Sequence, residues 1–289
     1  MSLHIGRYYD KGRRARMRIG EWSSQGMSII GHMNRNWATA NKAMLRLSTG
    51  YRINSAADDP AGLAISEKMR GQIRGLNMAS KNIMDGISLL QTAEGAINET
   101  HAIIQRVREL AVQAASDTNT DEDRQKLQLE VDELLKEITR ISTDTEFNTR
   151  TLLNGDYKDQ GLNIQVGANS GQNMEINIGH MSAAALGLEN LSIATQEDAN
   201  HALGTLEQAL NKVSHQRAQL GAYQNRLEHA YNVNQSMAEN LQDAESRIRD
   251  TDIAKEMMNM VKAQILAQVG QQVLAMHMQR GQAILRLLG

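Results

Sequence analysis

Between residues 203 and 248 apolar side chains recur at alternating steps of three and four. The positions are 203, 206, 210, 213, 217, 220, 224, 227, 231, 234, 238, 241, 245 and 248, and ten of them are apolar. A repeat of this kind is a coiled-coil seam. Arg217, Gln224, Asn234 and Glu245 interrupt it. Polar residues at such positions lower stability but fix register and partner number. About 50 residues of helix extend roughly 75 Å, and a lone helix of that length needs a partner along most of it. The stretch from Pro60 to about residue 115 is the matching length. The expected fold is mainly α: an elongated antiparallel helical bundle or coiled-coil rod, with terminal helices and one small β-hairpin.

Composition agrees. The chain has 289 residues, one proline, 3% aromatics and 16 Met. Aliphatic residues, Ala, Gln and Met carry the apolar content, which suits helices packed side by side. Leu127, Val131, Leu134, Ile138 and Ile141 predict a third helix over 121–143, alongside the long pair. Two alternating segments, LNIQV and MEINI, flank a Gly/Asn-rich loop and predict the hairpin at 162–178. Asp250-Thr251-Asp252 caps a last helix over 253–288. Ile265, Leu266, Val269, Val273, Leu274, Ile284, Leu285 and Leu288 do not fit one stripe of it. A helix apolar on every side is buried on every side. Either copies of the same chain cover it, with these residues forming the polymer core, or it stays disordered until they do.

Catalytic chemistry is not legible. There is no cysteine, and no Walker loop, GxSxG or HExxH motif. His201, His215 and His229 share one heptad position, but steps of about 21 Å prevent two of them from holding one metal. Asp58-Asp59-Pro60 contains the only proline. It reads as a helix start, with Asp accepting from free first-turn N–H groups and Pro at the first helical position. No catalytic residue, metal site or cofactor is expected, and the chain is read as a non-enzyme. The apolar run 263–279 carries five Gln and a His, too polar for a membrane span. Residues 1–26 hold Arg7, Lys11, Arg13, Arg14, Arg16 and Arg18 against Asp10 and Glu21. A basic arm can bind nucleic acid or membrane, but a solvated or non-native extension is the preferred reading, with neither partner expected. This segment lacks the apolar core of a Sec signal peptide.

The segment LSTGYRINSAADDPAGLAISEKM, residues 47–69, resembles the N-terminal signature of bacterial flagellins. NIMDGISLLQTAE at 82–94 and QRVRELAVQ at 105–113 continue the likeness. NRLE at 225–228, ENL at 239–241 and AESRIRD at 244–250 are similar to the C-terminal half, and 263–289 to the terminal helix. The resemblance spans 27–289 and implies a subunit that polymerises into the flagellar filament for swimming motility. It implies an extracellular location on the flagellum, reached unfolded by type III export without a Sec signal. Implied partners are other copies, an export chaperone on the C-terminal helix, and junction and cap proteins. Host Toll-like receptor five is a further one, through Arg106, Leu110 and Glu130. Only about 188–193 stands where hypervariable outer domains normally lie, so the resemblance is to a minimal form.

The implied domains are an unmatched basic extension at 1–26, a terminal (D0) helix and spoke at 27–58, and the N-terminal part of the rod (D1) at 59–190. The long rod helix at 191–250 and the terminal D0 helix at 251–289 complete it. Arg52, Asn54, Asp58, Asp59 and Pro60 form the cap and spoke. Two departures stand out. Residues 1–26 match nothing in the family, and Met27 is the expected true start. The helix over 27–47 then spans roughly 31 Å against roughly 54 Å for the last helix, leaving part of the latter uncovered. The alternatives are a minor paralogue that assembles poorly because of this short helix, or a hook–filament junction protein.

Overall fold

The computed structural model describes the backbone of residues 5–288 and the side chains of residues 24–283, in both cases apart from residue 159. The elements are α1 (Ile5–Thr49), α2 (Pro60–Ala114), α3 (Asp121–Asp144), β1 (Glu146–Phe147), β2 (Arg150–Thr151), β3 (Leu162–Gln165), β4 (Asn173–Ile176), α4 (Ala183–Leu186), α5 (Gln196–Arg249) and α6 (Ile253–Leu288). The mainly α class expected from the heptads is what the chain adopts. It divides into two compact units. Lys68–Asp243 forms one. The other joins the chain up to Glu67 with the chain from Ala244 onward. These divisions fall inside α2 and α5, not at the domain limits of 58/59, 190/191 and 250/251 expected from the sequence.

In the Lys68–Asp243 unit, α2 contributes Ile83, Leu90, Ile97, Ile104 and Ala111 to a fully buried core, and α5 contributes Leu206, Val213, Leu220 and Leu227. On α5 the expected positions 206, 213, 220, 227 and 234 are buried, while 203, 210, 217, 224 and 231 are only half-buried. Ala202, Ala209 and Gln216 are buried instead. The stripe widens because this part of α5 also meets the segment after the hairpin. Gln216 accepts from Gly179 N and donates to Asn177 O, at 3.3 and 3.4 Å, and Lys212 donates to the carbonyls of Ala185 and Leu186. On α3 the buried face is Val131, Leu135, Ile138 and Ser142, rotated slightly from the expected seam.

The predicted hairpin pairs Leu162 with Ile176 and Gln165 with Asn173. It lies close over α2 at glycines. A Cβ on Gly86 would collide with Ile164 Cδ1, and one on Gly75 would stand 2.8 Å from the Ala168 Cβ. Asn234, a polar interruption of the α5 heptad, donates to Val166 O at 2.7 Å and so fixes the hairpin end. A second hairpin, β1–β2, has no counterpart among the expected elements. Its two-residue turn is Asn148-Thr149, both at positive φ, and without a glycine it lacks the usual turn signal. Between α2 and α3 the buried Arg124 donates to the carbonyls of Ala114 and Ser116 and pairs with Asp121. It thereby satisfies the last carbonyl of α2, that of Ala114, and one in the connection that follows. Thr120 and Asp123 form a capping box on α3.

In the other unit α1 and α6 run antiparallel. Gly26 lies opposite His277, Met33 opposite Gly270, and Arg46 opposite Glu256. The helix expected over 27–47 begins at Ile5 and has 45 residues, against 36 for α6. The expected shortfall is therefore absent: α1 is about 68 Å long and α6 about 54 Å. No proline divides 5–26 from 27–49, and the helix runs through the Gly20, Ser23, Ser24 and Gly26 that could have capped it, with Arg-rich sequence on its N-terminal side favouring helix. The expected boundary at Met27 followed the family match and not a stop signal.

Candidate junction and assembly surfaces

Three segments of the α1–α6 unit meet where the sequence places DDP. Asp59 caps α2: its Oδ1 accepts from Gly62 N at 2.9 Å, and Pro60 is the first helical residue. Ile53, almost fully buried, packs over Gly62, where an added Cβ would collide with it. Asp58 does something else. Its Oδ2 accepts from Asn54 N and Ser55 N, and its Oδ1 sits 2.5 Å from Lys42 Nζ. The Lys42 ammonium, then these backbone donors, hold the Asp58 carboxyl down at about 2. Asn54 also donates from its amide to Tyr51 O. Arg52 donates to Ile248 O, and its own N–H donates to Arg249 O at 2.6 Å.

The junction contains partners the sequence did not reveal. Arg46 and Glu256 pair at 2.6 Å, and this bond to Arg46 lowers the carboxyl pKa of the buried Glu256. Arg249 pairs with Glu67 at 2.6 Å and lies 4.8 Å from the centre of the Tyr51 ring. Tyr51 bridges Asp250, and Thr251 N donates to Gly50 O. Asp252 caps α6 through Lys255 N at 3.1 Å. The arrangement is a clasp of paired charges. It sets no nucleophile beside a base, and among the described residues no three His, Cys, Asp or Glu gather to hold a metal ion.

The second surface is α6. Its seam against α1 runs through Glu256, Met260, Ala263, Ala267, Gly270, Leu274, His277 and Gly281, all buried or half-buried. On α1 the facing positions are Gly26, Ile29, Met33, Asn36, Ala40, Ala43 and Leu47. Both sets step by three and four, and seven of the fifteen positions are Ala or Gly. The large side chains of α6 point outward: Ile265 is 53% exposed, and Leu266, Val269 and Val273 are exposed with it. Met257, Met258, Val261, Lys262, Ile265 and Leu266 line a shallow apolar trough along this one helix. Leu274 sits half-buried on the seam side, and Ile284, Leu285 and Leu288 lie outside the described side chains. No described helix is long and apolar enough to cross a membrane.

The third group is brought together only in part. Arg106 donates to Glu130 at 3.1 Å and to Glu109 at 3.1 Å, joining α2 to α3 at the surface. Leu110 is 2% exposed. This corrects its expected place as a contact residue: it belongs to the core face of α2 and cannot touch a partner without unfolding. His201, His215 and His229 are exposed on α5.

Residues 24–158 match the bacterial flagellin N-terminal helical region, and 203–288 match the C-terminal helical region. The chain belongs to the flagellin family. A flagellin of Bacillus subtilis is 47% identical over 91% of this chain and 97% of its own length. A flagellin of Halalkalibacterium halodurans is 49% identical over 91% of this chain and 96% of its own. The flagellar filament 33 kDa core protein of Treponema phagedenis is 48% identical over 86% of this chain and 92% of its own. This is a short flagellin-family chain without hypervariable outer domains. Only 159–202 separates the two matched regions, and it holds β3, β4, α4 and the start of α5. Gln128 ties that segment down, accepting from Ile193 N at 2.6 Å and donating to Leu191 O at 3.1 Å.

Proposed function

We propose that this chain is the structural, non-catalytic subunit of a bacterial flagellar filament, built from many copies and serving motility. The observation that carries the reading is the sorting of α6, with small residues against α1 and large apolar ones facing out. An exposed apolar surface of this extent marks an interaction site, and a relative named as a filament core protein supports other copies as its partner. The length of α1 speaks against a poorly assembling paralogue with a truncated terminal helix. Electron microscopy of purified protein under assembly conditions tests the reading. Long filaments are expected; monomers alone, or short caps, would overturn it.

The location follows from the role: outside the cell, on the flagellum, after unfolded type III export. An export chaperone on α6 would cover the outward face before assembly, and junction and cap proteins would meet the ends of the polymer. Recognition by Toll-like receptor five would use the exposed Arg106–Glu130 pair, with Leu110 supporting the helix from beneath. Arg106→Ala in purified monomer is expected to reduce receptor signalling at least about tenfold, the loss of roughly 1.4 kcal/mol of binding. Unchanged signalling in a reporter-cell titration would remove the assignment.

A further inference from the structure

The outward face of the α1–α6 unit is rich in one functional group. Met257, Met258, Met276 and Met278 on α6 are each at least half exposed, Met258 to 67%, and Met27 and Met44 on α1 are exposed as well. Of the described methionines, the seam between the helices holds Met33 and Met260, both half-buried, beside Ala, Gly, Leu and the larger Ile29, Asn36, His277 and Glu256. The chain has no cysteine, so thioethers are its most readily oxidised side chains. Oxidation of methionine replaces a flexible apolar group with a polar, chiral one and disrupts methionine-rich interfaces. The chemistry of the two faces therefore differs. Oxidation on the outward side would reach contacts with other copies and leave the alanine–glycine seam untouched.

We propose that Met257, Met258, Met276 and Met278 form an oxidation-sensitive assembly surface, and that their conversion to sulfoxides blocks self-association while the helix pair stays folded. The inference rests on the filament reading above. The oxidant is of the hydroperoxide class. A sulfur lone pair attacks the terminal peroxide oxygen, the O–O bond breaks and an S–O bond forms. Sulfur gives up two electrons, and the departing hydroxide takes up the proton to leave as water. Once copies pack on this face the sulfurs are covered, so the sensitivity belongs to the free subunit.

The test treats purified full-length monomer with hydrogen peroxide, maps sulfoxides by peptide mass spectrometry, and measures the critical concentration for assembly by sedimentation. Sulfoxide is expected at Met257, Met258, Met276 and Met278 before Met33, Met260 and the buried Met181. The critical concentration should rise at least about tenfold, equivalent to roughly 1.4 kcal/mol per added subunit, with unchanged far-ultraviolet circular dichroism. Methionine sulfoxide reductases acting on both epimers should restore assembly. A variant with these four residues and the exposed Met27 and Met44 changed to Leu, a near volume match, should assemble equally well before and after peroxide. Treated wild-type protein that carries the four sulfoxides yet assembles at the untreated concentration would overturn the inference and leave the filament reading intact. So would a leucine variant that loses assembly on treatment as wild type does. Should that variant not assemble even untreated, reductase rescue of wild type decides: recovery supports the proposal, and no recovery overturns it. Untreated wild type that never assembles would fell the filament reading and this inference with it.

Discussion

The two compact units handle apolar side chains in opposite ways. Lys68–Asp243 turns most of its Ile, Leu and Val inward from α2, α3, α5 and the loops, with Ile83, Leu90, Ile97, Ile104 and Ile138 completely buried. The α1–α6 unit packs Ala and Gly inward beside a few larger residues such as Ile29, Met33 and Leu274, and sets most of the large apolar side chains of α6 outward. Burying a methylene group is worth about 0.8 kcal/mol, and a whole Leu or Ile about 1.5–3 kcal/mol. The first unit thus draws its stability from its own core. The second holds most of that gain in reserve until something covers its outer face. A single chain carries a finished fold and an unfinished one.

The largest expected effect probes the finished unit. Ile97 is completely buried between α2 and its neighbours. Ile97→Ala is expected to cost about 2–5 kcal/mol, from lost transfer energy plus a cavity. Chemical denaturation of the monomer would measure it. A cost below about 1 kcal/mol would mean that this core is loosely filled.

The narrow seam should fail in the other direction. Ala267 is fully buried where α6 approaches α1. Ala267→Leu adds volume that the close approach cannot accept, at an expected cost of about 1–3 kcal/mol. Loss of helical circular dichroism at lower temperature than wild type is the readout. A neutral or stabilising result would show that the seam has slack and that the size sorting is incidental.

The contrast also separates what sequence could and could not reveal. The α5 helix, the caps at Asp59 and Asp252, and the 162–178 hairpin are local patterns, and each appears where the sequence placed it, although the buried stripe of α5 is wider than its heptad. The sorting on α6 was present as a three-four spacing of Ala263, Ala267, Gly270, Leu274, His277 and Gly281. An apolar-or-not reading hid it, because Ala and Leu count alike. The ion pairs of the clasp join residues as far apart as Arg46 and Glu256, with no local signature. The β1–β2 turn escaped because Asn-Thr replaces the glycine that positive φ favours. Leu110 was placed by family motif, and only packing shows it to be part of the core.

The clasp supplies a smaller, pH-dependent test confined to the unfinished unit. Asp58 has its pKa lowered to about 2 from 3.8. A depressed carboxyl stabilises the fold at any pH above its unfolded value and loses that contribution as pH falls through the folded one. Between about pH 4 and pH 2 the wild-type junction should therefore weaken. Asp58→Asn should remove that part of the acid dependence and cost on the order of 1 kcal/mol at neutral pH, since Lys42 remains half in solvent. Thermal unfolding followed at α1 and α6 across this range is the check. An identical acid slope in the variant would assign the sensitivity to other carboxylates, Glu256 first.

The smallest expected effect on the isolated chain is the most informative about the comparison. Ile265 faces outward on α6 and is exposed. Removing an exposed apolar side chain from the monomer should change its stability by no more than about 0.5 kcal/mol. In the proposed filament the same side chain is covered by another copy, and its loss should cost about 2–5 kcal/mol per subunit, as for any buried Ile. Ile265→Ala should therefore leave the denaturation curve of the monomer unmoved while sharply raising the critical concentration for assembly. Equal effects on both measurements would mean that the outward face already contributes to the folded monomer, and the division between a finished and an unfinished unit would not stand.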